Sequence, residues 1–121
     1  MFLNISNHPK TKWTPDQLAA AERFPCEGNF VIDSPFPNVP PTATTEEVHQ
    51  MALQFVAGLP HAAKCDAVMV QGEFSLTYEL TRMLLALGWR VVVATSDRKV
   101  EEVDGKKIVT FQFVQFREIR N

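Results

Sequence analysis

The chain opens on a short apolar run, "FLNIS", that breaks into Ser6, Asn7, His8 and Pro9. A run of this kind bounded by turn residues predicts a strand over residues 2–6 and a loop after it. Thr14 announces a helix. Pro15 suits the first helical position and Gln17 completes a Thr-x-x-Gln capping box, so the helix runs to about Phe24 and ends before Pro25. "NFVID" predicts a second strand over residues 29–33. The four prolines between Ser34 and Thr44 exclude a helix or a central strand, because proline has no amide to donate, and leave an extended loop. Thr44 and Glu47 form a second capping box. Val48, Met51, Ala52, Phe55 and Val56 follow at helical spacing as a buried stripe, which Gly58 and Pro60 end.

"DAVMVQ" predicts a third strand, and its unbroken apolar centre fits burial on both faces of a parallel sheet. "GEFS" leads into a third helix with an inner stripe of Leu76, Leu80, Met83, Leu84 and Leu87, stopped by Gly88. "RVVVAT" predicts a fourth strand. "RKVEEV" and "KKIVTFQFVQFREI" flank Asp104-Gly105, the strongest turn signal in the chain, and predict a hairpin. On its last strand Val109, Phe111 and Phe113 alternate as a core face. Ile108, Thr110, Gln112, Val114 and Phe116 fall on the other, also partly apolar. One of these faces is expected to pack on helices and the other on a second subunit.

Strands alternating with helices predict one α/β domain over residues 1–121. The expected form is a Rossmann-like three-layer sandwich. Its sheet is mostly parallel, in the order 2-1-3-4, with the C-terminal β-hairpin added at the strand-4 edge.

Composition narrows the function. With 45% hydrophobic residues the chain can bury one ordinary core. A net charge of -2 argues against coating long nucleic acid, which needs many neutralised phosphates, but leaves room for a small anionic ligand. Cys26 and Cys65 match no metal or redox spacing and read as buried thiols in a reducing compartment. No apolar run is long enough to cross a membrane, and the first residues lack the pattern of a signal peptide. A soluble, cytoplasmic protein is expected.

In open α/β sheets ligands sit beyond the carboxyl ends of the strands, where the strand order reverses. Here that point falls between strands 1 and 3. Strand 1 ends at Ser6, Asn7 and His8. Strand 3 ends at Gln71, Gly72 and Glu73, with Ser75 and Thr77 in the helix behind. Strand 2 ends at Asp33, and strand 4 runs on to Arg98. His8 is the candidate for proton transfer, since imidazole titrates near neutrality. Gly72 and the helix start would admit a phosphate to free amides, and Arg98 would pair with it bidentately. Each residue also has a plainer role. Ser75 caps the helix, Gly72 permits a turn, Ser6 and Asn7 make a local turn before Pro9, Asp33 caps the proline loop, and Arg98 is a solvated charge. His49 and His61 receive no role. No metal-ligand spacing, Walker loop, dinucleotide fingerprint or nucleophile motif is present, so no cofactor is expected.

The pieces "LNISNHP" with "KW" following, "IDSPFPNVPPTAT", "VQGEFSLTYEL" and "DGKK" to "FQFVQFREI" cover most of the chain. In them it resembles a group of small bacterial CRISPR-associated proteins. Its layout is similar to the CRISPR-associated Rossmann-like (CARF) sensors and the small ring nucleases related to them. That resemblance implies a homodimer that binds cyclic oligoadenylate at the ends of strands 1 and 3. It also implies a metal-independent phosphodiesterase in which a ribose 2′-OH attacks the adjacent phosphorus. His8, Arg98 and Glu73 would then be catalytic, with Glu73 as a base or a contact to the nucleoside. Ser6, Asn7, Asp33, Gln71, Gly72, Ser75 and Thr77 would hold the ligand. The alternatives are a non-catalytic sensor or sponge for the nucleotide, and a scaffold without one.

Overall fold

The computed structural model describes residues 1–121. Its elements are β1 (Phe2–Ser6), α1 (Pro15–Glu22), β2 (Val31–Pro35), α2 (Thr45–Ala57), β3 (Ala67–Gln71), α3 (Phe74–Ala86), β4 (Arg90–Val103) and β5 (Lys106–Ile119). One five-stranded mixed sheet runs β2-β1-β3-β4-β5. The first four strands are parallel and β5 is antiparallel to β4. The expected strand 4 and the first arm of the hairpin are one continuous strand, so the sheet has five strands rather than six.

Alternation along β1 and β3 divides the core. Leu3, Ile5, Val68 and Val70 point to the face covered by α2 and α3, where they meet Val48, Ala52, Leu76, Leu80 and Leu84. Phe2, Ala67, Met69 and Val92 point to the opposite face with Trp13 and Ala21, on the α1 side. All five residues of β1 are buried, as a central strand covered on both faces requires. β2 is an edge strand and therefore tolerates Pro35 at its end.

The N-caps of α1 and α2 follow the sequence with one exception. Thr44 and Glu47 close the α2 capping box reciprocally. At α1, Thr14 accepts the Gln17 amide, but the Gln17 side chain is buried and does not reach back to the cap.

Two expectations are corrected. Cys26 and Cys65, 39 residues apart, form a disulfide, not two free thiols. The parallel topology brings the α1–β2 and α2–β3 loops together at the amino ends of the strands, a juxtaposition that no local spacing reveals. A reducing compartment loses its support from the cysteines. No helix is long and apolar enough to cross a membrane. The second correction concerns β5. The ladder shifts register at Thr95/Ser96, where Thr95 pairs with Gln115 and Ser96 with Phe113, leaving Val114 as the extra residue of a bulge. The bulge returns Phe113 to the face of Phe116. Phe116 packs on Phe2 and Trp13 with centroids at 4.9 and 6.1 Å, while Phe111 and Val109 are exposed rather than core.

Candidate functional site

A cleft of about 860 Å³ opens on the α1 side of the sheet, at the carboxyl ends of β1 and β3 and beside Ala94 and Ser96 in the middle of β4. Beneath its lining lies a residue that periodicity hid. Asn4 lies mid-strand, 1% exposed, between Leu3 and Ile5. Its amide donates to the His8 carbonyl and to Asp33 Oδ1, both at 2.9 Å, and its oxygen accepts the Ser6 hydroxyl at 2.6 Å. The polar atoms of a buried amide are thereby matched with partners. The signal for it was a lone amide inside an apolar strand. Ser6 Oγ also accepts the His8 amide at 3.1 Å, and Trp13 Nε1 donates to the His8 carbonyl at 2.9 Å. Three side chains, those of Asn4, Ser6 and Trp13, therefore fix the His8 backbone, while no protein group hydrogen-bonds its imidazole, which faces the cleft.

Ser6 is thus chiefly a turn-former and Asn7 an exposed rim residue. Asp33 holds the loop through Asn4 and the Lys10 amide at 3.1 Å; it does not touch the His8 ring.

β3 supplies the next part of the floor. Its ladder with β4 ends at Met69 and Val92. Beyond that point Gln71 Oε1 accepts the Ala94 amide at 2.9 Å, so a side chain replaces the missing strand bond and the strands part there. Gly72 lines the cleft, but its lack of a side chain serves Phe36. A Cβ on Gly72 would meet three ring carbons of that buried residue at 2.5 Å.

The start of α3 does not offer free amides. The Glu73 carboxylate accepts the Ser75 and Leu76 amides, each at 2.9 Å, and the Ser75 hydroxyl. The Ser75 hydroxyl and the Leu76 and Ser75 amides hold its carboxyl below the ordinary range. Glu73 is an N-cap, Ser75 is bound by it, and an anion there would compete with a carboxylate already in place. Thr77 is one turn into α3; its hydroxyl is buried without a partner and does not line the cleft. Arg98 lies outside the cleft as well, on the exposed part of β4, opposite Phe111. Of the ten residues expected to act, five line the cleft: Ser6, Asn7, His8, Gln71 and Gly72.

The remaining walls come from residues whose roles only the fold reveals. Lys12, Thr14 and the buried Gln17 form one side, and Ser96, Phe111 and Phe113 the other. Phe113 is 5.0 Å from Phe116, which ties the wall to the core aromatics. The lining contains no carboxylate; Lys12 is its one permanent charge and His8 its one imidazole. Nowhere do three or more His, Cys, Asp or Glu side chains gather as metal ligands. His49 lies away from the cleft, 3.2 Å from Glu79. Hydrogen bonds from Arg82 and then His49 lower the Glu79 carboxyl.

An α/β protein with a mixed sheet and a cationic cleft at the carboxyl ends of its parallel strands is the class that fold and cleft define. The chain matches the family model described as "Uncharacterized protein MJ1673 family" over residues 1–117, and it belongs to that family. No curated protein and no solved structure matches it.

Proposed function

We propose that the cleft binds cyclic oligoadenylate and opens the ring, which makes the protein a CRISPR-associated ring nuclease of the cytoplasm with a Rossmann-like domain. One observation carries the reading: a carboxylate-free cleft sets an unengaged imidazole and an ammonium group beside two phenylalanines. An ammonium suits a phosphate, and flat aromatic faces suit adenine rings. In this scheme the ribose 2′-OH attacks the adjacent phosphorus in line and the bond to the 5′-oxygen breaks. The products are a 2′,3′-cyclic phosphate and a 5′-OH. His8 takes the 2′ proton and a proton returns to the leaving oxygen. Lys12 stabilises charge on the phosphoryl oxygens, the role first assigned to Arg98 and the α3 amides. Asn7 orients the ribose, and Ser6 and Gln71 hold the floor rather than the ligand. The donor set favours a metal-independent route, since no carboxylate lines the cleft.

Incubation with cyclic tri-, tetra- and hexa-adenylate in EDTA tests it. Linear products ending in 2′,3′-cyclic phosphate are expected, and rings that stay intact at high enzyme concentration overturn cleavage. His8→Ala should slow opening by roughly 10²–10⁴-fold. A second reading, a nucleotide sensor or sponge, is favoured by the presence of only one proton-transfer group in the lining. Its signature is tight binding with no turnover. A scaffold role would show neither.

A further inference from the structure

Beyond the bulge, β4 and β5 leave the body of the protein. Ser96 to Val103 and Lys106 to Gln112 are exposed without interruption, as a two-stranded ribbon. Such a ribbon is marginal in water unless something covers a face. One face is defined by the cross-strand pairs Ser96–Phe113, Arg98–Phe111, Val100–Val109 and Glu102–Lys107. It is continuous with the cleft, whose wall includes Ser96, Phe111 and Phe113. The exposed apolar surface on it belongs to Phe111, 67% exposed, Val100 and Val109. The opposite face is more polar: Asp97–Gln112, Lys99–Thr110 and Glu101–Ile108. On the apolar face Arg98, Glu102 and Lys107 make no ion pair within the chain.

We propose that this ribbon is a subunit arm, stacked face to face and antiparallel on the same ribbon of a second copy. The order of its residues is what selects a second copy as the occupant. A twofold axis at the Val100–Val109 pair sets each valine against its own counterpart. Two positions to either side, Arg98 then faces Glu102 of the partner subunit and Phe111 faces the partner's Lys107. The two unpaired charges that β4 places on this face complement each other, and the third stacks on the exposed ring of Phe111. Four positions out, the Asp104-Gly105 turn of one arm meets Ser96 and Phe113 of the other. Each arm therefore closes the mouth of its partner's cleft and brings a lysine to a wall that has none of its own. The arm's role does not depend on what the cleft binds.

The full chain is tested by light scattering and by crosslinking. Wild type should have twice the mass of one chain. Arg98→Glu alone and Glu102→Arg alone should each yield monomer, and the two together should restore the dimer. Val109→Cys should form a disulfide-linked dimer under mild oxidation, while Thr110→Cys, on the other face, should not. Thermal melts by circular dichroism confirm that each variant is folded, as expected for exposed positions. A monomeric wild type, a dimer indifferent to both charge reversals, or equal crosslinking at positions 109 and 110 would overturn the arm.

Discussion

At the scale of single residues, two positions decide the shape of the cleft floor. Asn4 uses its amide to bind the His8 carbonyl, Asp33 and Ser6 at once. Asn4→Ala leaves the Asp33 carboxylate and the Ser6 hydroxyl short of a partner, at a cost of about 1–3 kcal/mol, and frees the loop that carries His8. Urea unfolding measures the first effect, and faster amide exchange at His8 reports the second. Gly72 is the other position. Gly72→Ala forces a methyl against the Phe36 ring at 2.5 Å, and the overpacking should cost about 1–3 kcal/mol. The penalty should disappear when Phe36→Ala is already present, because the clash then has no partner. A penalty of equal size in both backgrounds contradicts this account. The strand end at Ser6 to His8 was readable from its polar cluster, and Gly72 was readable as special. Asn4 and Phe36 were not, because their importance comes from partners in other segments.

Elements were more legible than side-chain duties. The α2 cap, its inner stripe and the Asp104-Gly105 turn follow from local chemistry, and local chemistry is what a sequence records most directly. The start of α3 shows the limit. A glycine followed by a helix reads equally as a phosphate site and as a capped turn; only the Glu73 carboxylate bonded to the Ser75 and Leu76 amides separates them. The capped turn has a pH signature. Glu73 has a folded pKa below its ordinary value of 4.5, so its contribution is fully present above that value and is lost as pH falls through the folded pKa. Glu73→Gln should therefore lower the melting temperature at neutral pH, and the gap from wild type should close on acidification. A gap that persists at low pH would assign the effect to packing. The bulge at Val114 was illegible for a different reason. One extra residue reverses the facing of everything beyond it, and strict alternation cannot show where that happens.

At the scale of the molecule, the sheet order through β4 and the meeting of the β1 and β3 ends were readable, because alternation of elements and crossover rules restrict the topology strongly. The link at the other end of the strands was not. Cys26 lies in the loop before β2 and Cys65 in the loop before β3, so their disulfide joins two crossovers at the end opposite the cleft. Its effect should be on stability alone. Closing a loop of this length restricts the unfolded chain and is worth about 2–4 kcal/mol in the chain-entropy account. The double variant Cys26→Ser/Cys65→Ser should lose that amount in urea unfolding while keeping the ligand affinity of the cleft. Reductant should lower the urea midpoint of wild type towards that of the variant and leave the variant unmoved. If reductant weakened ligand binding to native wild type without unfolding it, the two ends of the sheet would be coupled. The disulfide would then act on the site through β3, which runs from the loop of Cys65 to Gln71 at the cleft.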